Sequence, residues 1–268
     1  MSIFVTAIYD LFKLEPTRAK LFNHSIEDYL GMFLKLLKAD LNFYIFLDEN
    51  FYEKFKTQIS PVILSQQNRG FFVKIKFLPY SDIPYAHLVP SLFSLYERGK
   101  VFSDYNTVKD TPNFMALMYS KVDFLLIASQ DADCSQFKNY HWIDAGIFYL
   151  IPRYELSYDF GEYLAEISHH PVDKIVFCYM NTINGPDNIS FFQRNYYYLC
   201  GGFFSVPKDL IGWFSAQMKD TVNLLISNEL VNIDEMCFAW ICKHNRDKFE
   251  LYHGNYDTMI IIRAKLSL

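Results

Sequence analysis

The residues best suited to chemistry in this chain are carboxylates. In Trp142-Ile143-Asp144-Ala145-Gly146 an acid stands at the end of an aromatic strand and is followed by two small residues. A carboxylate so placed can reach a divalent metal that bridges a diphosphate, while Ala145 and Gly146 let a ligand approach the backbone. Shortly before it, Asp131-Ala132-Asp133 is a literal Asp-x-Asp, a pattern that surface turns also produce. A later pair, Asp234-Glu235, follows Asn232, a good helix N-cap. Acids there either serve chemistry or simply complement the helix dipole.

Other spacings are informative by what they exclude. There is no Gly-x-Gly-x-x-Gly, Walker loop or Gly-x-Ser-x-Gly elbow, so dinucleotide, P-loop and serine-hydrolase readings lose their support. His169-His170 is adjacent rather than spaced for one helix face. The five cysteines form no Cys-x-x-Cys pair, which argues against a zinc site or a disulfide framework and favours a reducing compartment.

The elements that must position these groups alternate along the chain. Ile3 to Ala7 reads as an apolar strand, Ser25 caps an amphipathic helix through Leu37, and Phe43 to Leu47 is a second strand ending in Asp48. This βαβ opening predicts a parallel sheet with Thr6, Asp10 and Asp48 near its carboxyl edge. A helix over 51–59, an alternating strand over Val73–Phe77 and a helix from Pro90 to Arg98 follow. A single helix is expected from Asn113 to Ser129. Beyond it come a strand over Lys174–Tyr179, a strand through Gly201-Gly202, a long helix from Pro207 to Asn228, and a helix from Asn232 to His244. With no repeat and no convincing linker, one α/β domain over 1–268 is expected.

Composition narrows the partners. Twenty-five Lys and Arg against 30 Asp and Glu leave a net charge of -5, which opposes phosphate-neutralising nucleic-acid binding. Aromatic residues reach 18%, either as core-fillers or as stacking platforms. No uncharged run approaches the roughly 20 residues needed to span a bilayer. The apolar segment Met259–Leu266 could touch a membrane peripherally, or close the fold as a strand or docked helix.

Taken in order, Phe4-Val5-Thr6-Ala7-Ile8-Tyr9-Asp10, Phe46-Leu47-Asp48, Ser120-Lys121 through Ala128 and Trp142 through Ile147 resemble the WlaTC/HtrL/YibB family of bacterial glycosyltransferase-like proteins. Gly201-Gly202-Phe203-Phe204, Asp234-Glu235 and His253-Gly254-Asn255-Tyr256 look like that family's closing motifs. The resemblance touches nearly the whole chain. It implies a GT-A-like nucleotide-sugar-binding fold with a mixed, mostly parallel sheet flanked by helices. The donor-binding half would run to about residue 147 and the acceptor half from about 148.

The implied activity is transfer of a sugar from a nucleotide-activated donor, a UDP-sugar above all, to a glycan or glycolipid acceptor such as lipooligosaccharide or lipopolysaccharide. It would take place in the cytoplasm or at the inner face of the membrane, with Mn²⁺ or Mg²⁺ (manganese or magnesium) as cofactor. Carried over by position, Thr6, Ala7, Tyr9, Asp10, Asp48, Lys121 and Trp142 would bind the nucleotide-sugar, and Gly201 and Gly202 would shape the acceptor side. Asp144 and His253 would hold the metal, with Asp131 and Asp133 as the rival pair. Asp234 and Glu235 would be catalytic, with Asp234 favoured as the base. Each residue also has a plain use: Lys121 as a solvated helix residue, the glycines as a strand bend, His253 as a loop histidine. Two readings of the whole compete with the transferase: a carboxylate-dependent glycoside hydrolase, and a non-catalytic carbohydrate- or protein-binding module.

Overall fold

The computed structural model describes residues 1–15, 25–150 and 159–266. The chain folds around seven strands: β1 (Ser2–Ile8), β2 (Phe43–Leu47), β3 (Val73–Phe77), β4 (Asn139–Ile143), β5 (Ile175–Tyr179), β6 (Leu199–Pro207) and β7 (Phe249–His253). They form one sheet in the order β3-β2-β1-β4-β6-β5-β7. β6 runs antiparallel to both its neighbours, and all other pairs are parallel. The sheet is therefore mixed and mostly parallel, as expected, and it draws strands from both halves of the chain. β1, β2, β4 and β6 are buried along their whole length, which is why β1 and β2 read as largely apolar runs.

Helices cover both faces. On one lie α4 (Val89–Glu97), α5 (Pro112–Tyr119), α6 (Lys121–Gln130), α9 (Lys208–Ser227) and α10 (Asp234–His244). On the other lie α2 (Ile26–Leu36), α3 (Glu49–Asn68), α7 (Ile147–Leu150), α8 (Asp159–His169) and α11 (Met259–Leu266). A single turn, α1 (Leu11–Leu14), follows β1. The aromatic excess is spent largely inside these layers: Phe177, for example, packs on Phe204, Phe214, Phe238 and Phe249.

Ser25 opens α2 with a full capping box, its hydroxyl accepting from the Asp28 N–H while the Asp28 carboxylate accepts from the Ser25 N–H. Ser25→Ala is expected to lower stability by about 1 kcal/mol, read from the urea midpoint.

Several boundaries differ from the sequence expectation, each for a tertiary reason. α3 continues through exposed Pro61 to Asn68, because beyond the proline buried Gln66 donates to Leu37 O at 2.7 Å and Gln67 donates to Val73 O at 3.0 Å. The expected helix from Asn113 to Ser129 is two helices, broken at buried Ser120, whose hydroxyl donates to Ala116 O and accepts from the Tyr85 N–H. The cap of α10 is Ile233 rather than Asn232. The Asn232 side chain instead holds a loop, donating to Phe192 O and Arg194 O. β7 was not expected, since only Phe249 and Tyr252 of its residues are buried. Met259–Leu266 is a docked helix with Met259, Ile260 and Ala264 in the core. Among the described residues no helix is long and apolar enough to cross one.

Candidate active site

β1 and β4 end side by side, and β6 begins against the end of β4, so segments far apart in sequence meet at one sheet edge. The Asp144 N–H donates to Gly202 O at 2.9 Å and extends that pairing beyond the strand. A cavity of about 380 Å³ opens here, between Ala7–Tyr9, Trp142, Asp144–Gly146 and Gly202 from the sheet. Residues of α1, α2, α5 and the first turn of α10, with Lys121 of α6, the segment over 102–110, Asn195, Tyr197 and Tyr256, complete its lining. That is the size and the carboxyl-edge position of small-molecule sites in α/β proteins. Gly146 lines the cavity, and because a Cβ there would stand 2.8 Å from Tyr29 Cε1, the glycine also makes room for the Tyr29 ring.

At the centre is Lys121. The break at Ser120 makes it the first residue of α6 and turns it inward. Its Nζ lies 3.2 Å from Asp144 Oδ1 and 2.9 Å from Asp234 Oδ2, and donates to Gly201 O at 3.0 Å. Burial works against the charge on this lysine, but Asp144 and Asp234 outweigh it and hold the pKa above the ordinary lysine value. Asp144 Oδ1 also accepts from Trp142 Nε1 at 2.7 Å. The Asp144 side chain keeps 24% exposure against 5% for Asp234, so Asp144 is the member of the cluster that faces the cavity most openly.

Glu235 points to other partners. Its carboxylate accepts from the Gly201 N–H at 2.8 Å and from the Tyr256 hydroxyl at 2.6 Å. Burial first, and then the neighbouring Asp234 charge, push its pKa up to about 7. The two adjacent acids thus diverge as helix geometry requires: Asp234 is bound to Lys121, and Glu235 is poised near neutrality. Gly201 admits this arrangement because a Cβ on it would meet Glu235 Cγ at 2.8 Å and Asp234 Oδ2 at 3.1 Å. Gly201→Ala is expected to destabilise by about 1–3 kcal/mol, measurable by chemical unfolding, as overpacking of a tight site does.

The sequence candidates divide cleanly. Ala7, Tyr9, Lys121, Trp142, Asp144, Gly202, Asp234 and Glu235 line the cavity, and Gly201 lies directly behind it. Tyr9 is not a free stacking face, since its ring packs on Phe124 and Tyr80 and its hydroxyl donates to Leu78 O. Thr6, Asp10, Asp48 and His253 lie outside the lining. Thr6 is buried within β1, two residues before the strand's end at Ile8. Asp10 caps α1 and Asp48 caps α3, each accepting a backbone N–H two or three residues on. His253 falls on the exposed side of β7 and meets Tyr179 edge-on.

The literal Asp131-x-Asp133 motif is a structural ion pair with Lys74, 2.7 Å from each acid, in which Tyr44 also donates to Asp131. Asp133→Asn should leave ligand binding unchanged and move the unfolding free energy by less than about 1 kcal/mol. Sequence reasoning missed Lys109, Asn195, Tyr197 and the role of Tyr256, all of which line the cavity. Tyr256 carried a signal, because it sits in the closing motif three residues beyond His253. Tyr197 is an exposed aromatic held at φ 48°, a backbone region uncommon for a non-glycine residue, with its N–H donating to Asn195 Oδ1.

The expected metal does not fit this donor set. His253 is not brought to Asp144, and among the described residues no group of three His, Cys, Asp or Glu could hold an ion. The two carboxylates that do converge share the Lys121 ammonium, whose Nζ lies 3.2 Å from Asp144 Oδ1 and 2.9 Å from Asp234 Oδ2.

Fold and cavity together define an α/β protein with a site at the carboxyl edge of a mostly parallel sheet, organised by a buried lysine–carboxylate cluster. No protein-family model matches the chain, and no curated protein does. Among solved structures, it is similar to the 4-diphosphocytidyl-2C-methyl-D-erythritol synthase of Anaerococcus prevotii, at 11% identity over 99% of this chain and 94% of that one, with a TM-score of 0.41.

Proposed function

We propose that the protein is a glycosyltransferase of the WlaTC/HtrL/YibB type, moving a sugar from a nucleoside-diphosphate donor to a glycan or glycolipid acceptor. The observation that carries this reading is convergence. Of the motifs on which the resemblance rests, all but Phe46-Leu47-Asp48 place a residue in the lining of one cavity, through Ala7–Tyr9, Lys121, Trp142 with Asp144–Gly146, Gly202, Asp234-Glu235 and Tyr256. A resemblance produced by chance composition has no reason to converge in space.

In this reading Glu235, rather than Asp234, is the general base. Asp234 is committed to Lys121, whereas Glu235 has a pKa of about 7 and is aimed by Tyr256 and the Gly201 N–H. A base poised near the working pH best combines availability with proton affinity when it takes the acceptor hydroxyl's proton. Asp144, the more exposed acid, meets the hydroxyls of the transferred sugar. Lys109, on the cavity wall, supplies positive charge to the diphosphate, and Tyr197 offers a ring face for stacking on the base or sugar.

Calorimetric titration with UDP-, GDP-, CDP- and dTDP-sugars tests the proposal. One of them should bind one-to-one and lose affinity in Lys109→Ala. Absence of heat with every one of them would overturn the transferase reading. Glycoside cleavage without any nucleotide would instead identify a hydrolase, and sugar binding without turnover a binding module.

A further inference from the structure

We infer that Lys121 is a built-in cation that takes the place a divalent metal would otherwise occupy, so that the carboxylate centre of this cavity works without a metal ion. The geometry is that of a coordination site filled by an ammonium. Oxygens from three separate elements face Nζ: Asp144 Oδ1 after β4 at 3.2 Å, Asp234 Oδ2 at the start of α10 at 2.9 Å, and the Gly201 carbonyl of β6 at 3.0 Å. The Trp142 ring closes another side, 5.9 Å from Nζ. The ammonium donates to the Gly201 carbonyl, and Asp144 and Asp234 both stand within ion-pair distance of it. The side chain is 3% exposed, so the charge belongs to the interior and not to a mobile surface arm.

Two features keep a metal out while the lysine is there. The nearby third carboxylate, Glu235, is committed with both its oxygens to the Tyr256 hydroxyl and with one of them also to the Gly201 N–H. The acids of the pair are also already compensated, and a divalent ion placed between them would stand against the fixed positive charge of Lys121. Hard cations are bound in proportion to the uncompensated oxygen charge around them. With one ammonium against two carboxylates, that charge is small; remove the ammonium, and two carboxylates and a carbonyl surround a space of cation size. The inference concerns the centre itself and does not depend on which substrate enters the cavity.

The test is direct binding of Mn²⁺, followed by the EPR signal of the free aquo ion, with no substrate present. The wild-type protein should leave the free signal unchanged, as should Lys121→Arg, which keeps the cation. Lys121→Ala should take up one Mn²⁺ per chain, at least about tenfold more tightly than wild type, and adding Asp144→Asn should abolish the uptake. A wild-type protein that binds one Mn²⁺ per chain and loses it in Asp144→Asn overturns the inference, and this arm needs no Lys121 variant to fold. A folded Lys121→Ala protein that gains no Mn²⁺ overturns it as well. Nucleotide titration is a separate measurement, so failure of the transferase reading and failure of this one are told apart.

Discussion

Lys121→Ala should cost about 3–5 kcal/mol of unfolding free energy, the range for removing one partner from a buried ion pair. The cost comes from the partners left behind. Asp234 is 5% exposed, and its pKa is already raised by burial despite the attraction of Lys121. Without the ammonium, Asp234 and Asp144 face each other across a gap, and the cheapest relief is protonation of Asp234. The variant should therefore regain stability as pH falls, since a carboxyl whose folded pKa is raised favours the native state more at low pH and less as pH rises through that pKa. Pairing Lys121→Met with Asp234→Asn removes both charges and should recover much of the loss, because replacing a whole buried pair costs far less than breaking one. Urea unfolding of the three proteins across pH 5 to 8, or thereabouts, reads all of this. A Lys121→Ala protein within about 0.5 kcal/mol of wild type would mean that the acids reach water, contrary to their burial.

The cluster also shows where sequence reading succeeds and where it stops. β1, β2, β3 and the Ser25-capped helix were legible because their signals are local: continuous or alternating apolar runs, and a cap with its box. The break at Ser120 was not, since it depends on a hydroxyl that answers Tyr85 from another segment. Strand-end acids were the main source of error. Asp10 and Asp48 follow apolar strands just as Asp144 does, but each immediately precedes a helix and is consumed as its cap. Asp144 also precedes a short helix, yet its side chain turns to Trp142 Nε1 and Lys121. Nothing in the spacing of residues 121, 144 and 234 announces that their charges meet, because that juxtaposition belongs to the crossing of α6, β4 and α10. The ion pairs of Lys121 were hidden for the same reason: the acids were visible in the sequence, and the cation that joins them was not.

Glu235→Gln should separate the catalytic and structural roles of the acidic pair. The Glu235 pKa, raised from the ordinary 4.5 to about 7 by burial and then by Asp234, lies above that of an unfolded glutamate. Between those two values the native state keeps a proton that the unfolded chain has released, so this group's contribution to stability is fully present below pH 4.5 and is lost as pH rises through about 7. Glutamine cannot ionise and still offers an oxygen to Tyr256, so the variant's stability should fall less steeply with pH across that window. Catalysis by the proposed transferase runs in the opposite sense. A base must be unprotonated, so wild-type transfer should climb through about pH 7 to a plateau. Glu235→Gln should lower transfer by about 10²- to 10⁴-fold while leaving nucleotide affinity intact. Asp234→Asn, by contrast, should damage stability first, because it leaves Lys121 with one carboxylate instead of two. Stability–pH curves and transfer rates measured on the same preparations distinguish these outcomes: a flattened stability curve with wild-type transfer in Glu235→Gln would confine the residue to holding Tyr256 and Gly201, and the proton would then have to leave through Asp144, the more exposed carboxylate of the cluster.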